Sequence, residues 1–107
     1  MEIVQYDVVL VNLDPTVGSE IRKTRPCVVI SPEELNRNLN IVVVAPMTTS
    51  LRNYPTRVNI KFKEKKGKIA VDQIRTIDKK RIVKIIGKIS AIEIKMLKEI
   101  IKQTYVD

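Results

Sequence analysis

Between two apolar runs, residues 8–13 and 27–30, the chain inserts a polar loop that carries Glu20 together with Arg22, Lys23 and Arg25. A carboxylate beside a guanidinium is equipped to handle a phosphodiester, since one group moves a proton while the other neutralises phosphate charge. Thr48 and Thr49 close a third apolar run, and Asp72 ends a short one that follows a lysine-rich stretch. The chain has no histidine. Acid–base work therefore falls to Glu, Asp, Arg, Lys or hydroxyl groups, and the commonest metal ligand is missing along with the commonest proton shuttle. The sequence contains no ligand cluster with metal-binding spacing, no glycine-rich phosphate loop and no Ser-His-Asp set, so neither a metal nor a cofactor is expected. Each candidate also has a plainer reading. Arg25 before Pro26 suits a structural ion pair with Glu20 or Asp72, Glu20 suits an exposed loop, Thr48 and Thr49 suit a strand by propensity, and Asp72 suits a turn.

Converging these residues requires a sheet. Residues 6–13 and 25–30 are rich in Val and Ile and are punctuated by Pro15, Gly18 and Pro26, which predicts two strands flanking the loop. Ser31, Pro32 and Glu34 form a capping-box pattern that predicts a short helical turn. Residues 41–48 predict a buried strand, 57–62 an alternating strand, 63–67 its turn and 68–72 another short strand. Lys61, Lys63, Lys65, Lys66 and Lys68 then read as a solvated hairpin tip around Gly67. Residues 73–78 stay extended or turn, and 82–89 predict a further strand. Ser90 and Glu93 repeat the capping box and open a terminal helix to about residue 105, with Ile94, Leu97, Ile100 and Ile101 on its packed side. The result is a mainly β fold with a C-terminal helix, a small and strongly bent antiparallel barrel. A length of 107 residues allows one domain, 1–107.

Twenty Lys and Arg against twelve Asp and Glu give a net charge of +8. The first fifty residues carry four cations and six anions, the rest sixteen and six. That basic half points to a polyanion partner rather than to solubility alone. The longest apolar stretch, 41–47, is far below the roughly 20 residues a membrane helix needs, and the N-terminus lacks a secretion-signal layout. A soluble, cytoplasmic protein with no membrane partner is the expectation. Cys27, the single cysteine, reads as a buried strand residue. Tyr6 and Phe62 read as core, and Tyr54, before Pro55, as a candidate for stacking on a base.

The blocks Leu13-Asp14-Pro15-Thr16-Val17-Gly18-Ser19-Glu20, Thr24-Arg25-Pro26, Val44-Ala45-Pro46-Met47-Thr48-Thr49 and Asp72-Gln73-Ile74-Arg75-Thr76-Ile77-Asp78 resemble, in order and spacing, the MazF/PemK family of toxin endoribonucleases from prokaryotic toxin–antitoxin systems. The resemblance implies the small barrel shared with the CcdB gyrase poison and a homodimer. It also implies metal-independent cleavage of single-stranded RNA and neutralisation by a cognate acidic antitoxin. The family's catalytic arginine and threonine match Arg25 and Thr48, and its loop acid matches Glu20; Asp72 is a secondary acid–base candidate. Ser19, Arg22, Lys23 and Thr49 are candidate RNA contacts, as are Arg52, Tyr54, Gln73 and Arg75. Ile21-Arg22-Lys23 stands where many members have Gln-Gly-Gly, which removes glycine freedom and adds two charges. Ser19 and Ala70 stand where some members have histidine and arginine. The rival reading is a non-catalytic toxin that binds DNA gyrase on the same fold, which would not need Glu20, Arg25 and Thr48 together.

Overall fold

Runs of Val and Ile broken by Pro, Gly and Asn set the strand pattern, and the computed structural model describes residues 2–12, 24–50 and 52–106. Seven strands appear among these residues: β1 (Asp7–Asn12), β2 (Thr24–Val29), β3 (Ile41–Thr48), β4 (Arg57–Phe62), β5 (Lys65–Ala70), β6 (Arg75–Asp78) and β7 (Ile82–Lys88). Two α-helices accompany them, α1 (Glu33–Asn38) between β2 and β3 and α2 (Ala91–Ile101) after β7. The strands pair in the order β4-β5-β3-β2-β1-β7, with β6 also on β3, and every pairing is antiparallel.

β3 is the hub of this sheet. One edge of it meets β2 over Val44–Pro46, while the other meets β6 over Ile41–Val44 and β5 at Met47 and Thr48. A strand with two successive partners on one edge has to bend, and the sheet curls as the small bent barrel predicted from sequence. Side chains alternate across the curl into two cores. Val9, Val11, Cys27, Val29, Val42, Val44 and Ile77 fill one; Val8, Val28, Ala45, Val58, Ile60, Ile69 and Leu97 fill the other. That explains the continuous, rather than alternating, burial of β1 and β2.

Helix α2 closes the second core with Ile94, Leu97, Ile100 and Ile101. Its capping box is present: Ser90 Oγ accepts from Glu93 N, and Glu93 Oε1 accepts from Ser90 N. Glu93 Oε2 also accepts from Lys61 N at 2.8 Å. The same side chain thus caps the helix and covers part of the exposed edge of β4. Burial alone would raise its carboxyl pKa, but the hydrogen bonds from Ser90 and Lys61 outweigh it and leave the pKa below its ordinary value.

Two local expectations are corrected. The first helical turn forms, but Pro32 is its N-cap and no side chain caps it; Ser31 Oγ instead donates to Asn36 Oδ1 and accepts from Val43 N. The β4–β5 turn is shorter than expected, with only Lys63 and Glu64 between the strands. Both take positive φ, 49° and 67°, which suits the two-residue hairpin geometry usually given to Asn and Gly. Lys65, Lys66 and Gly67 are consequently strand residues. Among the described residues no helix is long and apolar enough to cross a membrane.

Candidate functional site

The β1–β2 ladder ends at the Asn12–Thr24 pair. Glu20, Ser19, Arg22 and Lys23, expected on the loop between these strands, lie outside the described residues. β2 pairs with β3 only from Cys27–Pro46 onward, because Pro26 and Pro46 lack the N–H groups that would carry the ladder further. Past that point β3 pairs instead with β5, Met47 opposite Ile69 and Thr48 opposite Lys68. The two strands fork, and a cavity of about 310 Å³ opens in the fork.

Its lining comes from four strands. Thr24, Arg25 and Pro26 start β2, Met47 and Thr48 end β3 with Thr49 following, Ile60 and Phe62 come from β4, and Lys65, Lys66 and Gly67 from β5. Arg25 on β2 and Thr48 on β3 line the same cavity from the two arms of the fork. Pro26, Met47, Ile60 and Phe62 supply apolar surface; Arg25, Lys65 and Lys66 supply positive charge; three threonines supply hydroxyls. No carboxylate is among the described lining residues, so the cavity suits a ligand that is anionic at one end and flat and apolar at the other. Gly67 makes the closure possible, because a Cβ built on it would stand 2.9 Å from the carbonyl oxygen of Thr48.

Thr48 is oriented by its own turn. Its Oγ1 accepts from Ser50 N at 3.1 Å, which leaves the O–H free to donate to a phosphate oxygen. Arg25 is exposed and has no ion-pair partner among the described residues. Burial raises the thiol pKa of Cys27 and outweighs the opposing charges of Arg25 and of Arg75, on β6 opposite Val44, so that the thiol stays pushed up to about 12. A neutral thiol of that kind is a packing group, not a nucleophile.

Asp72 is placed elsewhere. In the tight turn Val71–Gln73, its Oδ1 accepts from Arg57 Nε at 2.8 Å and from Thr56 Oγ1 at 2.9 Å, and its Oδ2 accepts from Arg57 Nη2 at 3.3 Å. The Arg57 bonds hold its carboxyl below the usual range, with burial opposing and Thr56 adding to the effect. Arg57 in turn lies 5.1 Å over the Tyr54 ring, and Arg52 donates to the Tyr54 hydroxyl at 3.4 Å. The structure therefore brings Arg25, Thr48 and Thr49 together, and gathers Arg52 and Tyr54 around the Arg57–Asp72 pair, with Gln73 exposed on the same turn as Asp72. The segment from Thr49 to Thr56 joins the two clusters.

Lys65, Lys66 and Phe62 are the lining residues that sequence reasoning assigned to a hairpin tip and to the core. The cross-strand pair Phe62–Lys65 follows only from a two-residue turn, and the turn expected to run to Gly67 extends three residues too far along the chain.

A curled sheet with a cation-lined cavity at its forked end defines a small β domain suited to a polyanion. The family model described as PemK-like, MazF-like toxin of type II toxin–antitoxin system matches residues 4–105. The chain belongs to that family. It is 37% identical over 71 residues to the endoribonuclease toxin MazF of Escherichia coli, a match covering 66% of this chain and 64% of that protein's length. It is 39% identical over 82 residues to endoribonuclease MazF of Staphylococcus epidermidis, covering 71% of this chain and 68% of that one. Among solved structures, a chain of the MazE-MazF structure from Deinococcus radiodurans superposes with a TM-score of 0.82 at 21% identity, over 96% of this chain and 95% of that chain.

Proposed function

We propose that the chain is the toxin of a type II toxin–antitoxin pair, an endoribonuclease that cuts single-stranded RNA with a preference for sequence. The observation that carries this reading is the meeting of Arg25 and Thr48 in a cation-lined cavity. In this mechanism the RNA 2′-hydroxyl attacks the adjacent phosphorus and leaves a 2′,3′-cyclic phosphate and a 5′-hydroxyl. No metal is needed, because the substrate carries its own nucleophile. Arg25 neutralises charge building on the phosphorane-like transition state, and the Thr48 O–H orients a non-bridging oxygen. Glu20 takes the 2′-hydroxyl proton in preference to Asp72, whose two oxygens are both engaged by Arg57. Lys65, Lys66 and Arg75 hold flanking phosphates, and Arg52 and Tyr54 take the strand beyond.

The partners belong to the same reading. The relatives carry the names endoribonuclease and toxin, and the Deinococcus radiodurans structure is of MazE with MazF. A cognate acidic antitoxin that opposes the +8 charge and a homodimer acting in the cytoplasm follow from the family. Exposed Ile92 and Met96 on α2 and Val83 and Ile85 on β7 offer apolar surface for protein contacts. Purified protein incubated with single-stranded RNA in EDTA should yield fragments ending in 2′,3′-cyclic phosphate. Intact RNA, or fragments with 3′-hydroxyl ends, would defeat this mechanism.

A further inference from the structure

Lys68 is a lysine in the wrong place for solvation. Only 6% of it is exposed, although strand lysines normally carry the ammonium out to water, and a buried ammonium without a counter-charge is costly. Its described partner is the neutral Oδ1 of Asn53, at 2.8 Å. Ion pairs among the described residues join Arg37 to Glu2 and Glu33, Arg57 to Asp72 and Lys88 to Asp7; none includes Lys68.

Register puts Lys68 directly opposite Thr48 on β3, so the two side chains leave the same face of the sheet with Cβ atoms about 4.5–5.5 Å apart. Its neighbour Gly67, and Lys66 beyond it, line the cavity. An aspartate at position 53 would accept the same hydrogen bond and cancel the charge; asparagine accepts it and brings no charge of its own. We propose that Lys68, buried and without a counter-charge among the described residues, supplies positive charge to the phosphate held at Thr48, and that neutral Asn53 keeps this charge available. It is a positioning residue for the anion, acting from behind Thr48 while Arg25 meets the phosphate from the open side. Because it is buried, salt screens its field less than it screens the rim lysines. The inference deepens the RNA-cleaving reading and rests on it.

The test uses the whole chain with Asn53→Asp, Asn53→Ala and Lys68→Met. Single-turnover cleavage of a single-stranded oligonucleotide is compared with affinity for the same oligonucleotide made uncleavable by a deoxyribose at the cut. Asn53→Asp, near-isosteric and newly ion-paired, should fold at least as stably yet cleave about tenfold more slowly, a deficit that persists as salt is raised. Lys68→Met should slow cleavage to a similar degree, whereas Asn53→Ala, which keeps the charge, should lose less than about threefold. Wild-type cleavage by Asn53→Asp together with slow cleavage by Asn53→Ala would overturn the inference, since Lys68 would then only tie down the segment around Asn53. If the wild-type chain cuts no RNA, the functional reading is what fails; affinity for the uncleavable strand then decides the charge, and equal binding by wild type and Asn53→Asp would overturn it.

Discussion

Gly67→Ala tests whether the site depends on how closely β5 approaches Thr48. The added Cβ would sit 2.9 Å from the Thr48 carbonyl oxygen, a backbone atom held on the strand that also pairs with β2 and β6, so neither side can swing away. Forcing a methyl group into such a contact costs about 1–3 kcal/mol, and the reduced freedom of the unfolded chain returns about 0.5–1 kcal/mol. A net loss of about 1–2 kcal/mol remains, which lowers the melting temperature by roughly 4–8 °C per kcal/mol in a domain of this size. The consequence for rate is larger than for stability. A shift of about 1 Å in a positioning group costs on the order of 10²-fold, and the strain falls directly on the residue that presents the Thr48 hydroxyl. Thermal melting followed by circular dichroism, with single-turnover cleavage well below the melting temperature, reads both effects. A variant that melts and cuts like the wild type would refute the argument that the β3–β5 contact at Gly67 sets the site.

Thr48→Ala removes a hydroxyl that orients without carrying charge and should slow cleavage by about tenfold, less than loss of a charged group, with the fold unchanged by circular dichroism. Lys65→Ala and Lys66→Ala, both at the cavity, should each weaken RNA binding and reduce the slope of log affinity against log salt by about 0.7; an unchanged slope would return them to the solvent-exposed tip. Asp72 has a carboxyl pKa lowered in the folded state, so the stability it contributes is present above the ordinary carboxylate range and is lost as pH falls through that range toward its folded value. Asp72→Asn should flatten this acid limb of the melting curve while leaving cleavage at neutral pH largely intact, and an unaltered acid limb would show the Arg57 pair to be unimportant.

The sheet was legible because its strands are Val and Ile runs closed by Pro, Gly and Asn, and β3 and β4 fall where that pattern places them. Ser90 and Glu93 likewise announced α2 through chemistry that acts over three residues. Ser31 carried the same signal, but long-range partners, Asn36 and the Val43 N–H, took its hydroxyl. Tertiary contacts also decided the site. Arg25 and Thr48 were evident by type, whereas the participation of Lys65 and Lys66 depends on a turn in which Lys63 and Glu64 adopt positive φ, a conformation their residue types do not advertise. Asp72 had the right chemistry in sequence; only the positions of Thr56 and Arg57 reveal that its oxygens are already engaged.

The central claim is that the forked end of the sheet is a cleaving site and not only a place where RNA rests. Arg25→Ala tests it most directly, with single-turnover cleavage and RNA affinity measured on the same folded protein. Loss of a transition-state charge stabiliser should lower the rate by about 10²–10³-fold, while loss of one phosphate contact among several leaves affinity only modestly weaker. Wild-type cleavage by Arg25→Ala would contradict the account and make Arg25 a structural residue.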